Sequence, residues 1–271
     1  GLPAMWVKGA ALSTILAQLL TFVILVKFQR GVSDEYLRFK WRTPIRGDIV
    51  KQILIVGGPS AINSLFFSLT STFIGRIVSN ASVMAASVQR IGAQIESVSW
   101  MTSSGFASAL SAVTGQNYGA GKYKRVVEGF VKGTLMVAGI GVFATALLML
   151  LPRQLFSLFI SQPEEVVTMG INYLVILGIS QLFQSFEIST EGAFAGLGLT
   201  QIPSVISILF TTLRIPAALF LMNTSLGING IWWAISLSTV FKGIIGIFFF
   251  YWVVIRRLNQ VLPLHKTNRA Y

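Results

Sequence analysis

Residues 229–255, NGIWWAISLSTVFKGIIGIFFFYWVVI, run for 27 positions with a single charge, Lys242. An α-helix rises about 1.5 Å per residue, so about 20 apolar residues cross the roughly 30 Å hydrocarbon core of a bilayer. A stretch this long and this poor in charge reads as a membrane-crossing helix. Five more lie upstream, at 53–75, 83–113, 128–151, 166–190 and 204–222, and a seventh at 9–26 precedes them. Almost every charge falls between these stretches or at their ends. The expected fold is therefore all-α: a polytopic membrane protein of about seven transmembrane helices, the last six forming one bundle.

Composition supports that class and excludes others. Charged residues make up 11% of the chain, against about 25% in soluble domains. Cysteine is absent, so neither a disulfide nor a thiolate metal site can form. The only histidine, His265, sits in the tail. No nucleophile, histidine and acid are available together at membrane depth, so an enzyme is not expected, and no cofactor either. The net charge of +12 does not make nucleic acid an expected partner, because lysine and arginine gather in a few loops. Cytoplasmic loops of membrane proteins carry such an excess.

That excess sets an expected topology. The Lys27–Lys51 segment carries Lys27, Arg30, Arg38, Lys40, Arg42, Arg46 and Lys51 against Asp34, Glu35 and Asp48. Lys122, Lys124 and Arg125 follow the 83–113 stretch, and Arg256, Arg257, Lys266 and Arg269 occupy the tail. Even numbers of crossings separate these segments, which places them all in the cytoplasm. The start of the chain is then external and its end cytoplasmic, in a plasma membrane of the bacterial inner-membrane kind. Trp232, Trp233, Tyr251 and Trp252, near the two ends of the last stretch, read as an interfacial aromatic belt. Gly115-Gln116-Asn117-Tyr118-Gly119-Ala120-Gly121 reads as a tight polar turn needing positive φ values.

Two features point to a longer protein. Gly1-Leu2-Pro3 does not read as a start. Leu12-Ser13-Thr14 recurs as Leu237-Ser238-Thr239, each opening an apolar helix. Residues 1–47 are then expected to be the last helix of a first lobe plus a basic loop. Residues 48–271 are expected to be a six-helix second lobe with a cytoplasmic tail. Duplicated bundles of this kind recur among secondary transporters.

Four motifs in register carry a family resemblance. Gly105-Phe106-Ala107-Ser108-Ala109 with the Gly115–Gly121 run resembles the helix-to-loop signature of the multidrug and toxic compound extrusion (MATE) family. Gly57-Gly58-Pro59 resembles the opening of its seventh helix. Glu191-Gly192-Ala193-Phe194-Ala195-Gly196-Leu197-Gly198-Leu199-Thr200 is similar to the end of its tenth, and Gly227-Ile228-Asn229-Gly230-Ile231-Trp232 to the entry of its twelfth. The resemblance implies helices six to twelve of a two-lobed transporter, most of whose first lobe is not in this chain. It implies an antiporter that exports organic cations or other amphiphilic drugs by alternating access in exchange for H⁺ or Na⁺. A lipid-linked saccharide flippase of related build is the alternative; it would need a cavity rich in arginine and lysine. The family's sodium-coupled members carry an acid midway along the seventh helix. Here the matching stretch, Asn63-Ser64-Leu65-Phe66-Phe67-Ser68, has none, and the acid of the tenth helix falls near Gln184.

Ionisable residues at membrane depth are costly and face a cavity or a partner. Glu96 lies about 20 Å into its helix by helical rise. Gln89, Ala93 and Trp100 share its face, and a carboxylate beside an aromatic suits an organic cation. Pairing of Glu96 with Arg90 or Lys242 is the structural alternative. Glu187 and Glu191 share one helix face and could bind a coupling proton on one side of the membrane and release it on the other. Their alternative is a hydrated vestibule, or a pair with Arg214 or Lys242. Gln181 and Gln184 could supply oxygens to Na⁺ near Glu187. Arg214, followed by Ile215-Pro216, reads as a structural or gating partner of a glutamate, with an anionic-substrate role as the alternative.

Overall fold

The computed structural model describes residues 6–31, 46–160 and 163–267. The described residues form helices α1 (Trp6–Gly31), α2 (Gly47–Ala81), α3 (Val83–Gly119), α4 (Tyr123–Leu150), α5 (Pro152–Ser157), α6 (Glu164–Gly178), α7 (Gln181–Gly196), α8 (Gln201–Met222) and α9 (Ile228–Thr267). The chain divides into two compact units, residues 1–50 and 51–271. The first contains α1, whose described side chains are almost all exposed and mostly apolar, as for a helix solvated by lipid. Much of the basic loop, with Arg38, Lys40 and Arg42, lies outside the described residues. Arg46 at its end pairs with Asp48 at 2.7 Å.

Five helices are long and apolar enough to cross a membrane, or six if α6 and α7 count as one broken span. The chain is thus a multi-pass membrane protein. The remaining expected span, 83–113 in α3, has the length but not the apolarity, because Gln89, Arg90, Gln94, Glu96 and a run of serines interrupt it. Its start is capped by the Ser82 hydroxyl, which accepts from the Ala85 amide at 3.3 Å.

The 166–190 stretch is not one helix. It breaks at Ile179-Ser180, and α6 and α7 meet at a 46° bend. A break at membrane depth exposes backbone carbonyls, which neighbours must satisfy. Here the Thr145 hydroxyl of α4 donates to Gly178 O at 3.0 Å. The Ser236 hydroxyl of α9 donates to Ile176 O at 2.9 Å. Ser180 donates its own hydroxyl back to Leu177 O.

The Gly115–Gly121 run also departs from expectation. Helix α3 continues through Gly115, Gln116, Asn117 and Gly119, and only Gly121 takes a positive φ, +67°. Gly115 serves packing instead: a Cβ there would lie 3.1 Å from Gly196 O of α7. Trp232 is likewise not interfacial. It is fully buried, edge-on to Tyr173, and donates its indole N–H to Gln89. Tyr251 and Trp252 are the exposed members of the expected belt.

Two apolar clusters hold the second unit together. One gathers Ile74, Val78, Val88, Leu148, Phe156, Leu174 and Trp232; the other gathers Leu110, Phe130, Ala193, Phe194, Phe250 and Val254. Along α9 the buried order is Ile231, Trp232 and Ala234, then Ser236, Ser238, Thr239 and Lys242, then Phe250 and Val254. A polar layer therefore lies between two hydrophobic ones, midway along the bundle.

Candidate functional site

The polar layer opens into a cavity of about 610 Å³ walled by α2, α3, α6, α7, α8 and α9. That volume is in the range of small-molecule sites. Glu96, Trp100, Gln184, Glu187, Glu191 and Arg214, six residues singled out from the sequence, all line it. So do Gln89 and Ala93, which complete the expected face of α3. The glycines and polar residues of the 115–121 run are not part of this wall.

Each charge has a particular setting. Glu187 accepts from Lys242 Nζ at 2.6 Å, a largely buried ion pair joining α7 to α9. Sequence reasoning named Lys242 only as a partner for the glutamates. It is also a cavity-lining residue, and the signal was there: it is the one charge in an otherwise uncharged span.

Glu96 pairs with neither Arg90 nor Lys242. Its Oε2 accepts from Gln181 Nε2 at 3.0 Å, while Oε1 and Gln181 Oε1 are buried without a hydrogen-bond partner. Arg90 cannot serve because its side chain is exposed, and Lys242 is engaged by Glu187. The break between α6 and α7 brings Gln181 to Glu96.

Arg214 is not held by a glutamate. Its Nε donates to Ser238 Oγ and an Nη to Thr239 Oγ1, so hydroxyls of α9 fix the guanidinium. The ion-pair position beside Glu187 is already taken by Lys242.

Glu191, one turn beyond Glu187, lines both the cavity and an adjoining polar recess of about 310 Å³. Asn63, Ser64 and Ser104 are common to the two, so the recess extends the cavity. The Thr200 hydroxyl, also in the recess wall, donates to Val56 O and ties the α7–α8 turn to α2. Among the described residues no group of three or more His, Cys, Asp or Glu side chains is placed to hold a metal ion.

Comparison with known proteins gives one answer. The MatE family model matches residues 59–220. The chain is 29% identical over 261 residues to a probable multidrug resistance protein NorM of Thermotoga maritima, covering 92% of this chain and 54% of that protein. It is 24% identical over 242 residues to a probable multidrug resistance protein YoeA of Bacillus subtilis, covering 86% and 51%. It thus spans about half the length of the curated relatives it matches. A multidrug resistance MATE family transporter in an outward-facing conformation superposes with a TM-score of 0.84 at 24% identity, over 93% of this chain and 57% of that one. A MATE crystal structure in a straight conformation gives 0.82 at 24% identity, over 92% and 56%. The folds agree, and with the family model covering more than half of its residues, the chain belongs to the MatE family, the multidrug and toxic compound extrusion proteins.

Proposed function

We propose that the full-length protein is a cation-coupled antiporter that exports organic cations or other amphiphilic drugs by alternating access. In this reading residues 1–47 close a first lobe, and residues 48–271 form the second, in a plasma membrane of bacterial inner-membrane type. The observation that carries it is the convergence of Glu96, Glu187, Glu191 and Trp100 on one cavity at membrane depth. Three carboxylates face two cations, Arg214 and Lys242, and one of those cations is engaged by Glu187. That balance favours a positive cargo over the pyrophosphate of a lipid-linked saccharide. The names of the Thermotoga and Bacillus relatives, both probable multidrug resistance proteins, support the same cargo class.

The coupling ion is H⁺ or Na⁺. Glu191, outside the Lys242 pair, is the carboxylate best placed to exchange it, with Gln184 and Glu187 on the same wall. Reconstitution of the full-length protein tests this. Efflux of a fluorescent organic cation is measured in a pH gradient without Na⁺, then in a Na⁺ gradient without ΔpH. One gradient is expected to drive efflux, and Glu191→Gln to reduce that driven flux at least tenfold. Efflux indifferent to both gradients removes the antiport reading.

A further inference from the structure

Behind the central cavity lies a second hollow. A groove of about 500 Å³ runs between α3 and α4, lined by Val98, Thr102, Met136, Gly139 and Phe143 among others. Val98, Met136 and Phe143 are 71%, 64% and 67% exposed, so the groove opens on an apolar outer surface of the helix pair. Gly139 keeps it open: a Cβ there would meet nothing within 4 Å. Apart from Ser99, Thr102 and one carboxylate its lining is apolar, and the Thr102 hydroxyl is spent on Val98 O.

One charge stands in that lining. Glu96 lines both the groove and the central cavity. The side chain is 9% exposed, with the Gln181 amide and the Tyr173 hydroxyl beside the carboxyl, and Lys242, the buried lysine of the layer, pairs with Glu187 instead. A buried carboxylate held by neutral donors, with no cation paired to it, is costly. Such a group at the base of an oily groove disfavours a lipid tail. A bare inorganic ion would find too few oxygen ligands there. A positive charge carried on apolar substituents satisfies both surfaces.

We propose that this groove is a lateral binding site for monovalent lipophilic organic cations entering from the bilayer. The apolar groups lie between α3 and α4, and the charge points at Glu96. The proposal rests on the cation-export reading and deepens it: Glu96 forms the wall between a membrane-side site and the cavity, so cargo reaches one carboxylate from either side.

The test uses the full-length protein in lipid nanodiscs. Equilibrium binding of tetraphenylphosphonium, a lipophilic cation, is compared with that of tetraethylammonium, a more water-soluble one. Gly139→Leu fills the groove into open space, and Met136→Trp fills it from an exposed lip, so neither threatens folding. Neither position lines the central cavity. Each variant is expected to weaken tetraphenylphosphonium binding at least tenfold while leaving tetraethylammonium within twofold of wild type. Glu96→Gln is expected to weaken tetraphenylphosphonium as strongly. Unchanged tetraphenylphosphonium affinity in both filled variants overturns the groove and leaves the central cavity standing. Full affinity in Glu96→Gln overturns the charge pairing. Failure of wild type to bind either cation overturns the groove and the cation reading together.

Discussion

Glu187 and Lys242 meet at 2.6 Å in a wall that also carries Glu191. A buried ion pair adds little net stability, yet losing one partner strands the other, which costs roughly 3–5 kcal/mol. Glu187→Gln is therefore expected to lower the thermal midpoint of the full-length protein markedly. Glu187→Gln combined with Lys242→Met is expected to recover most of the loss. Thermal unfolding of the purified single and double variants decides this; equal destabilisation by both would remove the pair from the structural account. The need for partners was legible in the sequence, because a charge at membrane depth requires one. For Glu187 it narrowed the partner to Arg214 or Lys242, and Lys242 is the one found; for Glu96 it named Arg90 or Lys242, and neither is. Glu187 finds Lys242 at a separation of 55 residues, and Glu96 finds the neutral amide of Gln181 at a separation of 85. The packing of α3, α7 and α9 decides between Arg214 and Lys242 and brings Gln181 to Glu96.

At the scale of elements, α3 and α7 touch backbone to backbone. A Cβ on Gly192 would sit 2.4 Å from Ala107 O, and one on Gly196 would sit 2.4 Å from Ser111 O. These glycines are four apart on α7, the spacing that lets membrane helices approach closely. Gly192→Ala and Gly196→Ala are each expected to destabilise the bundle by about 1–3 kcal/mol or more, as overpacking does. Gly105→Ala, where a Cβ meets nothing within 4 Å, serves as the control. Membrane abundance and unfolding temperature check the contrast, and a harmless Gly196→Ala would refute the close-contact account. The same contact explains a misreading. Glycine disfavours a helix interior by about 1 kcal/mol, so Gly115 reads as a turn residue. The approach of α7 at Gly196 requires a small residue at Gly115 on a continuing helix, and tertiary contact outweighs local preference. The break at Ile179-Ser180 was hidden for the converse reason. The flanking stretch is apolar enough for one span, and the hydroxyls that satisfy the freed carbonyls come from α4 and α9. Element existence was legible from hydropathy; the break depended on residues distant in sequence.

At the scale of the molecule, the question is which way the cavity faces. On the topology proposed from charge asymmetry, Lys122, Lys124 and Arg125 are cytoplasmic and the α4–α6 connection is external. That connection carries an exposed Arg153–Glu164 pair at 2.7 Å, a kind of contact worth at most about 1 kcal/mol, so it can be cut without disturbing the fold. The bend between α6 and α7 does not alter the parity if the two helices together make one crossing. Because these 271 residues contain no cysteine, single substitutions report topology without background from this segment. Arg153→Cys is expected to react with a membrane-impermeant maleimide in intact cells, and Lys124→Cys only after permeabilisation. Labelling of both from outside would mean that α4 does not cross the bilayer. The reverse pattern would keep every crossing and turn the polar recess beside Glu191, at the α7–α8 end of the bundle, from the cytoplasmic to the external face. An exporter that loads inside needs that recess toward the cytoplasm, so the two labelling results bear directly on the direction of transport.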